Sequence, residues 1–113
     1  MLFQLRKCYS NFRCGVAPLN IEIGRYSNTP IENRLCNICN ENVIEDEKHF
    51  LMSCPVYDNL RSVLMDKANT IVESFNELSE NEKFIELLSN EIMCKSTART
   101  LFEMFKVRRT FII

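Results

Sequence analysis

The stretch "LCNICNENVIEDEKHFLMSCP", residues 35–55, contains the only histidine of the chain and three of its six cysteines. Its pattern is Cys36-x2-Cys39-x9-His49-x4-Cys54. Two cysteines separated by two residues can place both sulfurs on one ion from a tight turn, and a His and a Cys five positions apart can converge across the end of a short helix. Thiolates with an imidazole select Zn2+ among the available divalent ions, and four protein ligands leave no coordination position for water. The spacing therefore predicts a closed, structural Cys3His site rather than a catalytic one. A lone Cys reads as a small buried hydrophobe and a lone His as a surface or core residue. Four such residues within 19 positions, at spacings close to those of zinc fingers, point to metal. The x9 separation is a little shorter than is common in fingers.

Glu45 lies four positions before His49. If residues 45–53 are helical the two side chains share a face, and the carboxylate is placed to accept the proton of the non-ligating ring nitrogen. The alternative is a solvated acid near a helix start. Cys8, Cys14 and Cys94 have no partner at ligand spacing and read as core or half-buried thiols.

Outward from this cluster the pattern is helical. Leu2, Leu5, Tyr9 and Phe12 recur at the spacing of an amphipathic helix ending near Arg13. Gly15, Pro18, Gly24 and Pro30 then break the chain into a linking loop in which "NIEI" is at most a short extended piece. Pro55 suits the first turn of a helix over about Val56–Lys67, with Tyr57, Leu60 and Leu64 on one face. Ser79 and Glu82 stand in capping-box order, with Phe84, Leu87 and Leu88 facing inward. Ala98, Leu101, Phe102 and Phe105 form the last stripe, and Arg108 and Arg109 fall in its final turns, where cations oppose the helix dipole favourably. The expectation is one small, mainly α domain over residues 1–113, with an irregular zinc-stabilised element at about 33–54 between helices.

Composition agrees with a folded domain: 113 residues, 46% hydrophobic and 26% charged, with only two Gly and three Pro. Arg6 and Lys7 interrupt the amino-terminal apolar stretch before it reaches signal-peptide length, and no run approaches the roughly 18 apolar residues of a membrane span. An intracellular protein, nuclear or cytoplasmic, with reduced thiols is expected. The net charge of −1 conceals a pattern. Residues 1–34 and 91–113 each carry five bases against two acids, while residues 35–58 hold one base against five acids. Such small clusters are common on any surface. No phosphate-binding glycine loop, nucleophile elbow or pair of facing carboxylates occurs, so no enzyme activity is expected.

The segment "FRCGVAPLNIEIGRYSNTPIENRLCNICNENVIEDEKHFLMSCPVYDNLR", residues 12–61, resembles the zinc-binding segment carboxy-terminal to the polymerase domain in non-LTR retrotransposon reverse transcriptases. The likeness rests on "GRY" before the cluster, Arg34 just ahead of the first Cys pair, "EDEKHF" leading through the His, and "CPVY" with "LR" beyond. It implies a module that helps hold nucleic acid. The chain has no polymerase palm and nowhere two adjacent Asp that could carry the metal ions of nucleotide transfer, so polymerisation is not expected of it. The resulting expectation is a structural Zn2+ module that binds DNA or RNA through Arg6, Lys7, Arg13, Lys106, Arg108 and Arg109, with a protein partner or a non-functional element remnant as alternatives. The pI of about 5.9 is low for a dedicated nucleic-acid binder.

Overall fold

A computed structural model describes residues 3–111 of the chain. Five α-helices are present among them: α1 (Phe3–Arg13), α2 (Asn20–Tyr26), α3 (Asp58–Ile71), α4 (Glu80–Ser89) and α5 (Cys94–Phe111). Helices α1, α3 and α4 all pack on α5, which forms the axis of the domain. The architecture is the mainly helical single domain that the periodicity predicts, with a buried Cys3His cluster among the helices.

Helix α1 buries Leu5, Tyr9 and Phe12; Leu2, the expected start of that stripe, lies outside the described residues. The helix stops in a Schellman turn. Gly15 takes a positive φ of 74°, its amide donates to the Phe12 carbonyl, and the Val16 amide donates to that of Asn11. On α5, Thr97, Ala98, Leu101, Met104, Phe105 and Arg108 make one buried stripe. Phe102 sits at its edge, half-buried. The capping box of α4 forms as expected: Ser79 Oγ accepts from the Glu82 amide at 3.2 Å and Glu82 Oε1 from the Ser79 amide at 3.1 Å.

Two elements depart from the pattern. Helix α3 is entered through a 3-10 turn at Pro55–Tyr57 and continues four residues beyond Lys67, to Ile71. Residues 20–26, expected to be loop, form α2. Seven residues are too few for an independent helix, and its stability comes from tertiary partners. The Asn20 amide donates to Glu45 Oε1 at 2.7 Å and the Ile21 amide to the Glu45 carbonyl at 3.0 Å, so a distant residue caps the amino terminus. Gly24 is buried rather than a breaker: a Cβ there would lie 2.5 Å from Arg34 Cγ, so the Arg34 side chain crosses the helix where no side chain intervenes. Arg34 then donates to the carbonyls of Ile21 and Thr29, both at 2.9 Å.

An aromatic cluster fixes the cysteine element on the bundle. Phe50, adjacent to His49, has its ring 4.5 Å from that of Phe105 on α5, 4.8 Å from Tyr57 and 6.1 Å from Phe12 on α1. Burying an aromatic ring this completely contributes about 1.5–3 kcal/mol and fixes the backbone beside His49.

Candidate metal centre

Cys36 and Cys39 lie in a small hairpin. An antiparallel bridge joins Leu35 to Ile44, the Cys36 amide donates to the Val43 carbonyl at 2.8 Å, and the Glu45 amide donates to that of Arg34 at 3.0 Å. Asn42 takes a positive φ of 57°, a conformation that Asn tolerates better than most residues, and so lets the chain turn back sharply.

His49 and Cys54 come from a short helix that begins at residue 47, whose segment His49–Ser53 is in π register. Asp46 caps it: its Oδ1 accepts from the His49 amide at 2.8 Å. The closing bond runs from the Cys54 amide to the His49 carbonyl, 2.7 Å, so the wide turn has the length of the His-x4-Cys spacing. Its last carbonyls are held by Arg61 of α3. Arg61 is buried and donates to the carbonyl of Leu51 at 2.7 Å and to that of Cys54 at 2.6 Å, while Asp58 accepts its remaining guanidinium nitrogen at 2.6 Å.

The three sulfurs and one imidazole nitrogen lie within 4.8 Å of one another, and all four residues are buried. Cys39 Sγ is 3.3 Å from His49 Nε2, which makes Nε2 the nitrogen on the cluster side. Around a zinc ion with bonds of about 2.3 Å to sulfur and 2.0–2.1 Å to nitrogen, tetrahedral ligands stand about 3.5–3.8 Å apart. The group is near that size, with Cys39 Sγ and His49 Nε2 at 3.3 Å and no two ligand atoms more than 4.8 Å apart. Burial raises the Cys39 thiol above its ordinary range and pushes Cys54 up to about 12, with the neighbouring cysteines adding to the rise at Cys54. In the absence of a cation these groups hold their protons; a divalent ion reverses that preference by binding the thiolates. The residues predicted as ligands are thus brought together as a buried group that could hold a metal ion.

The expected role of Glu45 is corrected. The helix starts two residues after Glu45, so Glu45 and His49 share no helical face. Both Glu45 oxygens instead face Arg108 of α5, Oε2 with Arg108 Nε at 2.9 Å and Oε1 with the terminal nitrogen at 2.7 Å. The same pair corrects the placement of Arg108 among the phosphate-binding residues: it is 5% exposed and its charge is spent inside the domain.

The other residues of that set, Arg6, Lys7, Arg13, Lys106 and Arg109, are exposed. Helices α1 and α5 pack together, and Lys7 and Arg109 line one groove between them. Arg6 adjoins Lys7, and Lys106 lies 4.8 Å above the Phe102 ring with Glu103 beside it at 3.4 Å. Arg13 points elsewhere, over the Tyr9 ring at 5.6 Å and beside Phe84 and Ile85 of α4. Of the remaining cysteines, Cys8 and Cys94 are half-buried as expected and Cys14 is exposed. Sequence reasoning did not find the structural roles of Arg34 and Arg61, since an arginine that ties off carbonyls has no spacing rule to reveal it.

Among the described residues no helix is long and apolar enough to cross a membrane. Comparison with known proteins assigns no family: no family model matches the chain, and neither does any curated protein or any solved structure.

Proposed function

We propose that the chain is a non-enzymatic structural zinc module that holds nucleic acid through phosphate contacts. Zn2+ bound by Cys36, Cys39, His49 and Cys54 supplies cross-linking rather than reactivity, because four protein ligands fill a tetrahedral ion. The observation that carries the nucleic-acid reading is the pairing of α1 with α5, which brings Lys7 and Arg109 to one groove, with Arg6 beside Lys7 and Lys106 on the neighbouring Phe102 ring. The acids Glu32, Asp46 and Glu80 line a different crevice, beside His49 and Lys48. A groove lined by Lys7 and Arg109, apart from the crevice that holds these acids, suits a polyanion gripped by its backbone. The sequence likeness to the retrotransposon segment supports the same reading.

The test is a titration of labelled single-stranded and duplex oligonucleotides at low and moderate salt. Binding should weaken steeply with salt, and replacing Lys7 and Arg109 by Gln should flatten the dependence by about one slope unit each. Absence of binding in both salts refutes the reading and favours a protein partner.

A further inference from the structure

The groove between α1 and α5 has a composition that phosphate contacts alone do not require. Its lining is mostly apolar, with Pro18, Phe102 and Phe105 among it, and Phe105 packs on the buried Phe50 ring. Lys7 of α1 and Arg109 of α5 line it, and among the described residues neither pairs with a carboxylate. Asn11 adds an amide that can both donate and accept. The volume is about 200 Å³. Sites for drug-sized ligands occupy about 300–1,000 Å³, so the space suits one small flat group.

We infer that this groove is a subsite for a single unpaired nucleobase, seated on Phe102 and Pro18 with its flanking phosphates on Lys7 and Arg109. The inference rests on the nucleic-acid reading and narrows it to single-stranded nucleic acid. A base in a duplex is stacked on both faces and cannot enter; a base in a single strand can be splayed out onto an apolar platform. The cations on the groove match the charge on both sides of such a base, whereas a lipid tail would need a deeper apolar volume and only one anion site. Stacking of this kind tolerates any base, since all four present a π face. Cys8 lies half-buried in the same groove, close enough to Arg109 that the guanidinium offsets part of the rise that burial imposes on the thiol. It therefore serves as a reporter of occupancy.

The experiment compares three short labelled probes of equal length on the zinc-loaded protein: an oligothymidylate, the same backbone built from abasic sites, and a duplex. The base-bearing strand should bind about tenfold more tightly than the abasic one, and Phe102→Ala should bring that ratio close to one, whatever it does to the abasic affinity itself through Lys106. In parallel, alkylation of Cys8, located by peptide mass mapping, should be slowed by the oligothymidylate and not by the abasic strand; this readout uses the unsubstituted protein and stands even where Phe102→Ala fails to fold. Equal, salt-dependent binding of base-bearing and abasic strands overturns the subsite and leaves the phosphate-binding reading in place. Tighter binding of the duplex than of the single strand also overturns the subsite. No binding of any probe overturns both.

Discussion

Glu45 and Arg108, 63 positions apart in the chain, form a two-point ion pair in the interior, with both carboxylate oxygens 2.7–2.9 Å from guanidinium nitrogens and neither residue more than 5% exposed. Asn20 completes the group. Its amide donates to Glu45 Oε1, its side-chain oxygen accepts from Arg108 at 3.2 Å, and its side-chain nitrogen donates to the Leu35 carbonyl at 2.6 Å. The start of α2, the cysteine hairpin and the end of α5 are thereby joined at one point. A buried charge pair is costly to desolvate, and its geometry is favourable only while every partner is in place.

Removing one partner should therefore be worse than removing both. Arg108→Met alone leaves the Glu45 charge buried and should cost about 3–5 kcal/mol. The double variant Arg108→Met, Glu45→Leu should recover much of that loss. Urea unfolding of the two single variants and the double variant, read as a cycle, gives the coupling directly.

Metal removal should be destructive. Structural zinc contributes on the order of 10–16 kcal/mol of apparent binding energy, comparable with the net stability of a small domain. Metal analysis of protein purified without added zinc should find about one ion per chain, and a chelator should abolish the protection of the hairpin amides of Cys36 and Glu45 from hydrogen exchange. A well-folded, fully protected sample without zinc contradicts the assignment.

Zinc affinity should fall in acid. Burial pushes the Cys54 thiol up to about 12 and raises Cys39, so near neutral pH the metal-free site holds protons that zinc must displace. Lower pH favours the protonated, metal-free form, and uptake should release two or more protons per ion, a rough count from the thiols involved. Calorimetry in buffers of differing ionisation enthalpy measures that number.

Gly24→Ala should destabilise the domain by about 1–3 kcal/mol, a typical overpacking cost. The added carbon meets Arg34 Cγ at 2.5 Å, and moving the side chain breaks its bonds to Ile21 and Thr29. Thermal unfolding of the variant, set beside Arg34→Met, tests whether the two positions act as one; a Gly24→Ala variant as stable as the parent removes this account of the glycine.

Tyr57→Phe should be neutral or stabilising. The Tyr57 ring is buried against Phe50, yet its hydroxyl has no hydrogen-bond partner among the described residues. Deleting an unsatisfied buried group removes a desolvation penalty of about 1–3 kcal/mol. A higher midpoint of thermal unfolding is the expected result, and a large drop would show that the hydroxyl is bonded in solution.

The parts legible in the sequence were those encoded by local spacing. The Cys36, Cys39, His49 and Cys54 cluster, the Ser79–Glu82 box and the stripes of α1 and α5 all follow from periods and offsets over short stretches of the chain. Helix α2 was not legible, because Gly24 reads as a breaker until Arg34 is known to fill the space above it, and because the cap of the helix comes from Glu45. Arg108 was misread for the related reason that a charge near a helix end looks solvated unless its distant partner is known. In each case the deciding contact joins residues of different elements, where no spacing rule gives a signal.

The span of the Glu45–Arg108 pair also orders events during synthesis. Cys36, Cys39, His49 and Cys54 are all synthesised before α5, so the group that could hold a metal ion precedes the helix that packs beside it. At about 5–20 residues per second, Arg108 follows Glu45 by roughly 3–13 s. For that interval the nascent chain has an unpaired Glu45 and no α5 for Phe50 to pack on. The cysteine element is thus made first, and the aromatic face around Phe50 stays uncovered until α5 follows.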